Sequence, residues 1–247
     1  MRRLLPEPGP VDPVAAYADL PVADGRPGVR LNMVASIDGA IAVDGTSGAL
    51  GGDADRRVYQ ALRSLADVVL VAAGTVRAEG YGPPRLPRAL VEQRRARGQA
   101  DVPRIAVVTR SLDLDWTGPL FAKAAAAARP LVVTCAAAPA EALARARQAA
   151  EVVIAGEAEV DLRAALVALG EGGARSVLAE GGPRLNAALA AAGVLDEVCL
   201  TVSPRLVGGD SRRILDGPPT AEGGRPMRLR SVCEDEGFLF LRHRAAG

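Results

Sequence analysis

The segment Glu180, Gly181, Gly182, Pro183, Arg184, Leu185, Asn186 orders a carboxylate, two glycines and a proline as a chain would to end a strand, turn and start a helix. Glycine lets the backbone turn and come close to a ligand, and proline suits the first helical position. Amide groups left unpaired at such a helix start, with the positive end of its dipole, can hold a phosphate or pyrophosphate. The same residues also read as a plain strand-to-helix turn. Glu-Gly-Gly recurs at Glu171 and Glu222, but only the copy at Glu180 lies between an apolar run and an amphipathic one. A second segment, 32–39, closes on Asp38-Gly39. Asp-Gly is ordinarily a turn, but an aspartate facing a cleft would be desolvated, raised in pKa and able to pass protons. A third, 73–79, follows the apolar run 68–72. It reads as a loop in which Thr75 caps a helix, or as a second set of amides facing the same cleft as Gly182 and gripping the far end of a dinucleotide.

Other chemistries lack their residues. Lys123 is the sole lysine among 30 basic residues and has no glycine-rich approach, so no Walker loop can be built. Cys135, Cys199 and Cys233 are widely spaced and His243 is the only histidine, which excludes a zinc cluster, a zinc deaminase and a disulfide framework. No metal site is expected. GxGxxG fails at Arg175, and GxSxG fails at Ala49, so a standard Rossmann domain and a serine hydrolase are disfavoured. A formal net charge of +1 offers no field for nucleic acid or an acidic membrane. The start carries only Leu4 and Leu5 before prolines, and no run approaches the roughly 18 apolar residues of a membrane span, so a cytoplasmic protein is expected.

The elements that must position these groups come from periodicity. Apolar runs at 30–36, 68–72, 105–109, 131–134, 152–155, 176–180, 197–203 and 238–243 are of strand length, and most are unbroken, as for strands covered on both faces. Val58, Ala61, Leu62 and Leu65, and again Leu185, Ala188, Leu189 and Ala192, fall at i, i+3, i+4 and i+7, one apolar face per helix. Helices are also expected at 140–149 and 162–169, the latter capped by Gly170. The last two strands are joined by the Pro/Gly-rich stretch 208–226 with no helix, so the sheet should end antiparallel. Residues 1–28, with six prolines, predict an extended arm without regular helix, and 29–247 one α/β domain with a mixed, mostly parallel sheet.

Taken in order, 34–39, Gly45-Thr46-Ser47-Gly48, Arg56-Arg57 to Arg63, Gly74-Thr75-Val76, 180–183, and Pro204, Leu206, Gly208-Gly209 resemble the reductase domain of bacterial riboflavin biosynthesis. The resemblance spans roughly 29–243. It implies a dihydrofolate-reductase-like three-layer fold with an antiparallel C-terminal edge. It also implies NADPH as cofactor, a homodimer, and reduction of the ribose of 5-amino-6-(5-phosphoribosylamino)uracil to ribityl. Residue by residue it places nicotinamide and ribose contacts on Ala35, Leu50, Thr75 and Glu79, and the pyrophosphate on 181–188, which includes Gly181, Gly182, Pro183, Arg184 and Leu185. The 2′-phosphate falls on Arg110 and Ser111, and substrate on Asn32, Gly48, Arg63, Arg85 and Glu180. Gly48 stands where the family often has a hydroxyl residue, and Leu50 where it often has an aromatic. The proton donor could be Asp38, Glu180 or an ordered water. At about 100° per residue Arg63 points about 140° from Val58, so it is either a substrate clamp under a closing loop or a solvated surface residue. A dihydrofolate or other pteridine reductase of the same fold, and a non-catalytic NADP-binding sensor or scaffold, are the alternatives.

Overall fold

Among the described residues, the valine- and leucine-rich runs become the parallel half of one 11-stranded sheet. The computed structural model describes residues 1–21, 23–218, 220 and 224–246. The strands are β1 (Arg2–Leu5), β2 (Gly9–Pro10), β3 (Gly28–Ser36), β4 (Val68–Ala72), β5 (Arg104–Val108), β6 (Leu131–Thr134), β7 (Glu151–Ile154), β8 (Ser176–Ala179), β9 (Glu197–Ser203), β10 (Met227–Asp235) and β11 (Phe238–Ala245). The helices are α1 (Pro13–Tyr17), α2 (Asp53–Leu65), α3 (Ala73–Ala78), α4 (Arg88–Ala96), α5 (Pro119–Ala122), α6 (Ala140–Ala149), α7 (Leu162–Glu171) and α8 (Pro183–Ala191). The order across the sheet is β2-β1-β10-β11-β9-β3-β8-β4-β5-β6-β7. From β9 to β7 neighbours run parallel. From β2 to β9 they run antiparallel. The mixed, mostly parallel sheet with an antiparallel C-terminal edge is therefore as the sequence predicts, widened by strands that the periodicity did not show.

Strand alternation sorts the core into two layers. Val69 and Val71 of β4 face Val58, Leu62 and Leu65 of α2, while Val68 and Leu70 face Leu166 and Leu169 of α7 and Leu189 of α8. β6 and β8 are buried at every position, as strands covered on both faces must be.

The sequence reading errs at several elements, each for a physical reason. The proline-rich start contains α1: Pro13 occupies its first turn, where no N–H is needed, and Asp12 Oδ1 accepts from the amides of Val14 (2.8 Å) and Ala15 (3.3 Å). β1 extends the antiparallel edge by pairing with β10. β10 itself carries Arg228, Arg230, Glu234 and Asp235, which mask its strand pattern. α4 turns Arg94 inward beside Leu90 and Val91, so its buried side does not read as apolar. α3 begins at Ala73, so Thr75 lies inside it and does not cap it, and α7 runs past Gly170 to cap at Gly172. On α8, Ala188 is exposed, whereas Asn186 and Ala187 are buried beneath the 214–217 loop, where Asn186 Nδ2 donates to the carbonyl of Ile214 at 2.8 Å. The Glu-Gly-Gly copy at Glu222 and part of 208–226 lie outside the described residues.

Candidate active site

β8 runs between β3 and β4, and at the ends of these strands opens a cleft of about 1650 Å³. That exceeds the roughly 300–1,000 Å³ of a pocket for one small molecule, so two ligands can lie side by side. Its wall is built on the glycine pair. Gly181 has φ +93°, and its carbonyl accepts the Ala72 amide at 2.7 Å, which docks the turn onto the start of α3. The Gly181–Gly182 peptide is cis. A Cβ on Gly182 would stand 2.7 Å from Thr75 Oγ1, so any other residue there displaces the Thr75 side chain or the turn. Both helices that begin here, α3 after Ala72 and α8 after Gly182, lack a side-chain cap. Gly74, Thr75, Gly182, Pro183, Arg184 and Leu185 all line the cleft, so the two helix starts face one space that suits a bridging anion.

Glu180 closes β8 at the floor of this cleft, and Arg63 is neither solvated nor free. Its Nε and NH2 donate to the two Glu180 carboxylate oxygens at 2.7 and 2.6 Å, with both residues buried. The Tyr81 hydroxyl donates to the same carboxylate at 2.6 Å, and the Tyr59 hydroxyl at 3.4 Å. The guanidinium lies 4.3 Å from the Tyr59 ring centre and 5.6 Å from that of Tyr81. Burial alone would lower the Arg63 pKa, but the Glu180 charge beside it outweighs that and raises it. Burial, with the same carboxylate close by, raises both tyrosines. Both carboxylate oxygens of Glu180 are thus engaged by donors, Oε1 by Arg63 and Oε2 by Arg63, Tyr81 and Tyr59.

Asp55, Tyr59 and Arg63 follow at i, i+4 and i+8 along α2, a polar stripe beside the buried Val58, Leu62 and Leu65. That spacing is legible in the sequence and was passed over for Asp55 and Tyr59. Asp55 lines the cleft, and burial raises its carboxyl pKa, partly offset by a hydrogen bond from the Thr201 side chain of β9. It is a cleft carboxyl held towards its protonated form. Tyr81 carries no sequence signal, because its place is set only by the turn after α3.

The other expected positions divide. Asn32, Gly48, Glu79 and Arg85 line the cleft, and Glu79 Oε1 accepts from the Ser47 amide and hydroxyl, each at 3.1 Å, tying the 45–48 loop to the end of α3. Ala35 and Leu50, expected to touch the cofactor, are buried and do not line the cleft. Asp38 is exposed, and the desolvated, raised carboxyl considered for it is not what is found. Ser36 Oγ and the amides of Gly208 and Val207 donate to it and pull its pKa down to about 2, so it is an anionic clamp on the 205–208 loop. Arg110 and Ser111 are exposed beyond β5, and Arg110 pairs with Glu159.

Residues 27–237 match the model of the RibD C-terminal domain. The chain belongs to this family. This RibD-family chain is 34% identical over 205 residues to the 2,5-diamino-6-ribosylamino-4(3H)-pyrimidinone 5′-phosphate reductase of Methanothermobacter thermautotrophicus, covering 83% of the chain and 90% of that protein. Identity to the reductase of the same name from Archaeoglobus fulgidus is 32% over 214 residues, covering 85% and 95%. Among solved structures, a pyrimidine reductase-like protein from Corynebacterium diphtheriae superposes with TM-score 0.84 at 26% identity, over 96% of this chain and 100% of that one. Rib7 of Saccharomyces cerevisiae shares the fold at TM-score 0.66 and 19% identity, over 93% and 94%. No helix among the described residues is long and apolar enough to cross a membrane.

Proposed function

We propose that this RibD-family chain is an oxidoreductase of riboflavin biosynthesis, reducing the ribosyl group of a phosphoribosylamino-pyrimidine to ribityl with NADPH. The observation that carries it is the meeting, in one cleft, of two uncapped helix starts with a half-buried acid, Asp55, and a buried ion pair. The glycine cradle suits the cofactor, since Gly182 lets the start of α8 sit against Thr75, so that both helix starts border one space. The residues at the two helix starts would hold that cofactor, which would supply the hydride for C1′ of the ring-opened ribose imine.

The chain's own residues do the rest. The amides of Arg184 and Leu185 hold the diphosphate, and those of Gly74 and Thr75 border the same space. Arg110 and Ser111 are assigned the 2′-phosphate, for which Arg110 must exchange Glu159 as its partner. Arg85, exposed at the rim, orients the substrate phosphate as a charge-assisted clamp. The Arg63–Glu180 pair, fixed by Tyr81, forms a rigid polar floor that orients the sugar amine. Asp55, in place of Asp38 or Glu180, delivers the proton to the imine nitrogen as the hydride reaches C1′, leaving a neutral secondary amine.

The names of the two relatives direct attention to the 2,5-diamino-pyrimidinone ribotide, which differs from the aminouracil only at ring C2, amino against oxo. The three free cysteines are buried, which suits the reducing cytoplasm. A second copy of the chain is the partner proposed for the antiparallel half of the sheet. There Leu5, Val232, Leu241 and Leu200 stand in register across β1, β10, β11 and β9, an apolar row left half-buried or exposed. The deciding experiment follows NADPH absorbance with purified protein and the diamino-pyrimidinone ribotide, the aminouracil ribotide or dihydrofolate. Oxidation with either ribotide supports the proposal. Oxidation with dihydrofolate alone makes it a pteridine reductase, and NADPH binding without turnover makes it a sensor.

A further inference from the structure

The last carbonyls of a helix have no partners within it. At the end of α2, the helix that brings Arg63 to Glu180, a neighbouring segment supplies them. Arg94 of α4 is 1% exposed, among the most buried side chains of the protein. Its NH1 donates to the carbonyls of Ala66 (2.6 Å), Ser64 (3.0 Å) and Arg63 (3.3 Å), and its Nε to that of Ala100 (2.7 Å). Arg97 NH2 adds a bond to the Ser64 carbonyl at 2.7 Å, and Gln99 Nε2 one to that of Leu65 at 3.3 Å. A cation at a helix C-terminus also meets the negative end of the dipole. The guanidinium reaches the end of α2 and the Ala100 carbonyl from separate nitrogens, NH1 and Nε, where lysine would have a single ammonium for both.

From this network we infer that Arg94 is a positioning residue for substrate binding, acting through Arg63. Arg94 grips the main chain of the residue whose side chain forms the two-pronged pair with Glu180, on the turn where α2 ends. A binding constellation of this kind must be held within about 0.5 Å and 10–20° of its working geometry. α4, otherwise a polar surface helix, thereby acquires a task in the site without touching the cleft, which Arg94 does not line. The inference rests on the proposed reduction only in its kinetic arm.

The test uses the full chain with Arg94→Met and Arg94→Lys, the second being the variant to use should the first not fold. In their crystal structures the Arg63–Glu180 pair is expected to lose at least one of its two contacts. In turnover, KM for the pyrimidine ribotide is expected to rise about tenfold, while the NADPH dissociation constant stays within about twofold. Arg97→Met, which removes one of the two donors to the Ser64 carbonyl from a more exposed position, should lower Tm with KM unchanged. A pair that stays two-pronged in the Arg94 variants overturns the inference whatever the substrate proves to be. So does a KM that is unmoved, or one that rises equally in Arg97→Met for the same loss of Tm. Wild-type protein that turns over neither ribotide counts against the proposed function, and the crystal structures still decide the role of Arg94.

Discussion

Gly182→Ala isolates the contact on which the cofactor cradle depends. Gly182 has φ −73°, so an L residue fits its backbone, and the only atom within 4 Å of the added Cβ is Thr75 Oγ1, at 2.7 Å. Ordinary contact begins at 3.4 Å, so the turn or the helix start must yield about 0.7 Å. Overpacking of this kind costs about 1–3 kcal/mol. At roughly 2–4 °C per kcal/mol for a domain of this size, Tm should fall by roughly 2–12 °C. The displaced groups carry the Arg184 and Leu185 amides, and a hydrogen bond to a charged group is worth about 1.5–3 kcal/mol, so losing one weakens NADPH roughly ten- to hundredfold. Titration of NADPH by calorimetry and a thermal melt read both effects. Thr75→Ala removes the obstructing oxygen, so the double variant should regain the wild-type Tm. Wild-type NADPH affinity in the folded single variant would refute the cradle, and a double variant as unstable as the single one would refute the assigned clash.

Four other outcomes are expected. Glu180→Gln leaves the buried Arg63 charge uncompensated, a loss of about 3–5 kcal/mol, seen as a Tm lower by roughly 6–20 °C; a change under 2 °C, below the roughly 2–4 °C per kcal/mol scale, would show that the pair is not desolvated. Asp55→Asn should reduce kcat by about 10²–10⁴ and abolish an alkaline limb in the pH–rate profile. Because the raised Asp55 pKa means that the folded chain holds this proton more tightly than the unfolded one, wild-type stability should fall as pH climbs from about 3.9 to the raised value, and the asparagine variant should lack that slope. Arg110→Ala should weaken NADPH about tenfold or more and leave NADH unchanged; equal effects on both would remove Arg110 from the 2′-phosphate site. Leu241→Arg should convert a dimer to monomer in sedimentation, and a monomeric wild type would dismiss the apolar row as an interface.

Local order wrote the parallel half of the sheet into the sequence. Runs such as 68–72 and 176–180 are apolar because both faces are covered, and the period of Val58, Leu62 and Leu65 fixes which side of α2 turns inward. Gly181, Gly182 and Pro183 announced the helix start, since a left-handed residue, a tight approach and a fixed φ each admit few residue types. The edge strands and α4 escaped notice because their charged residues are satisfied by partners that lie far along the chain. Arg230 pairs with Asp19, and Arg94 serves the end of α2.

Chemistry in the cleft belongs to the tertiary structure. Arg63 and Glu180 are 117 positions apart, and nothing in the helical wheel that pointed Arg63 away from the core indicated that Tyr81 would enclose it. Asp55 owes its raised pKa to burial, and its hydrogen bond to Thr201 on a strand 146 positions later; Asp38 is held low by the nearby Ser36 hydroxyl and then by amides from a remote loop. A side chain's protonation follows from what packs around it, and that surrounding exists only once distant segments have met.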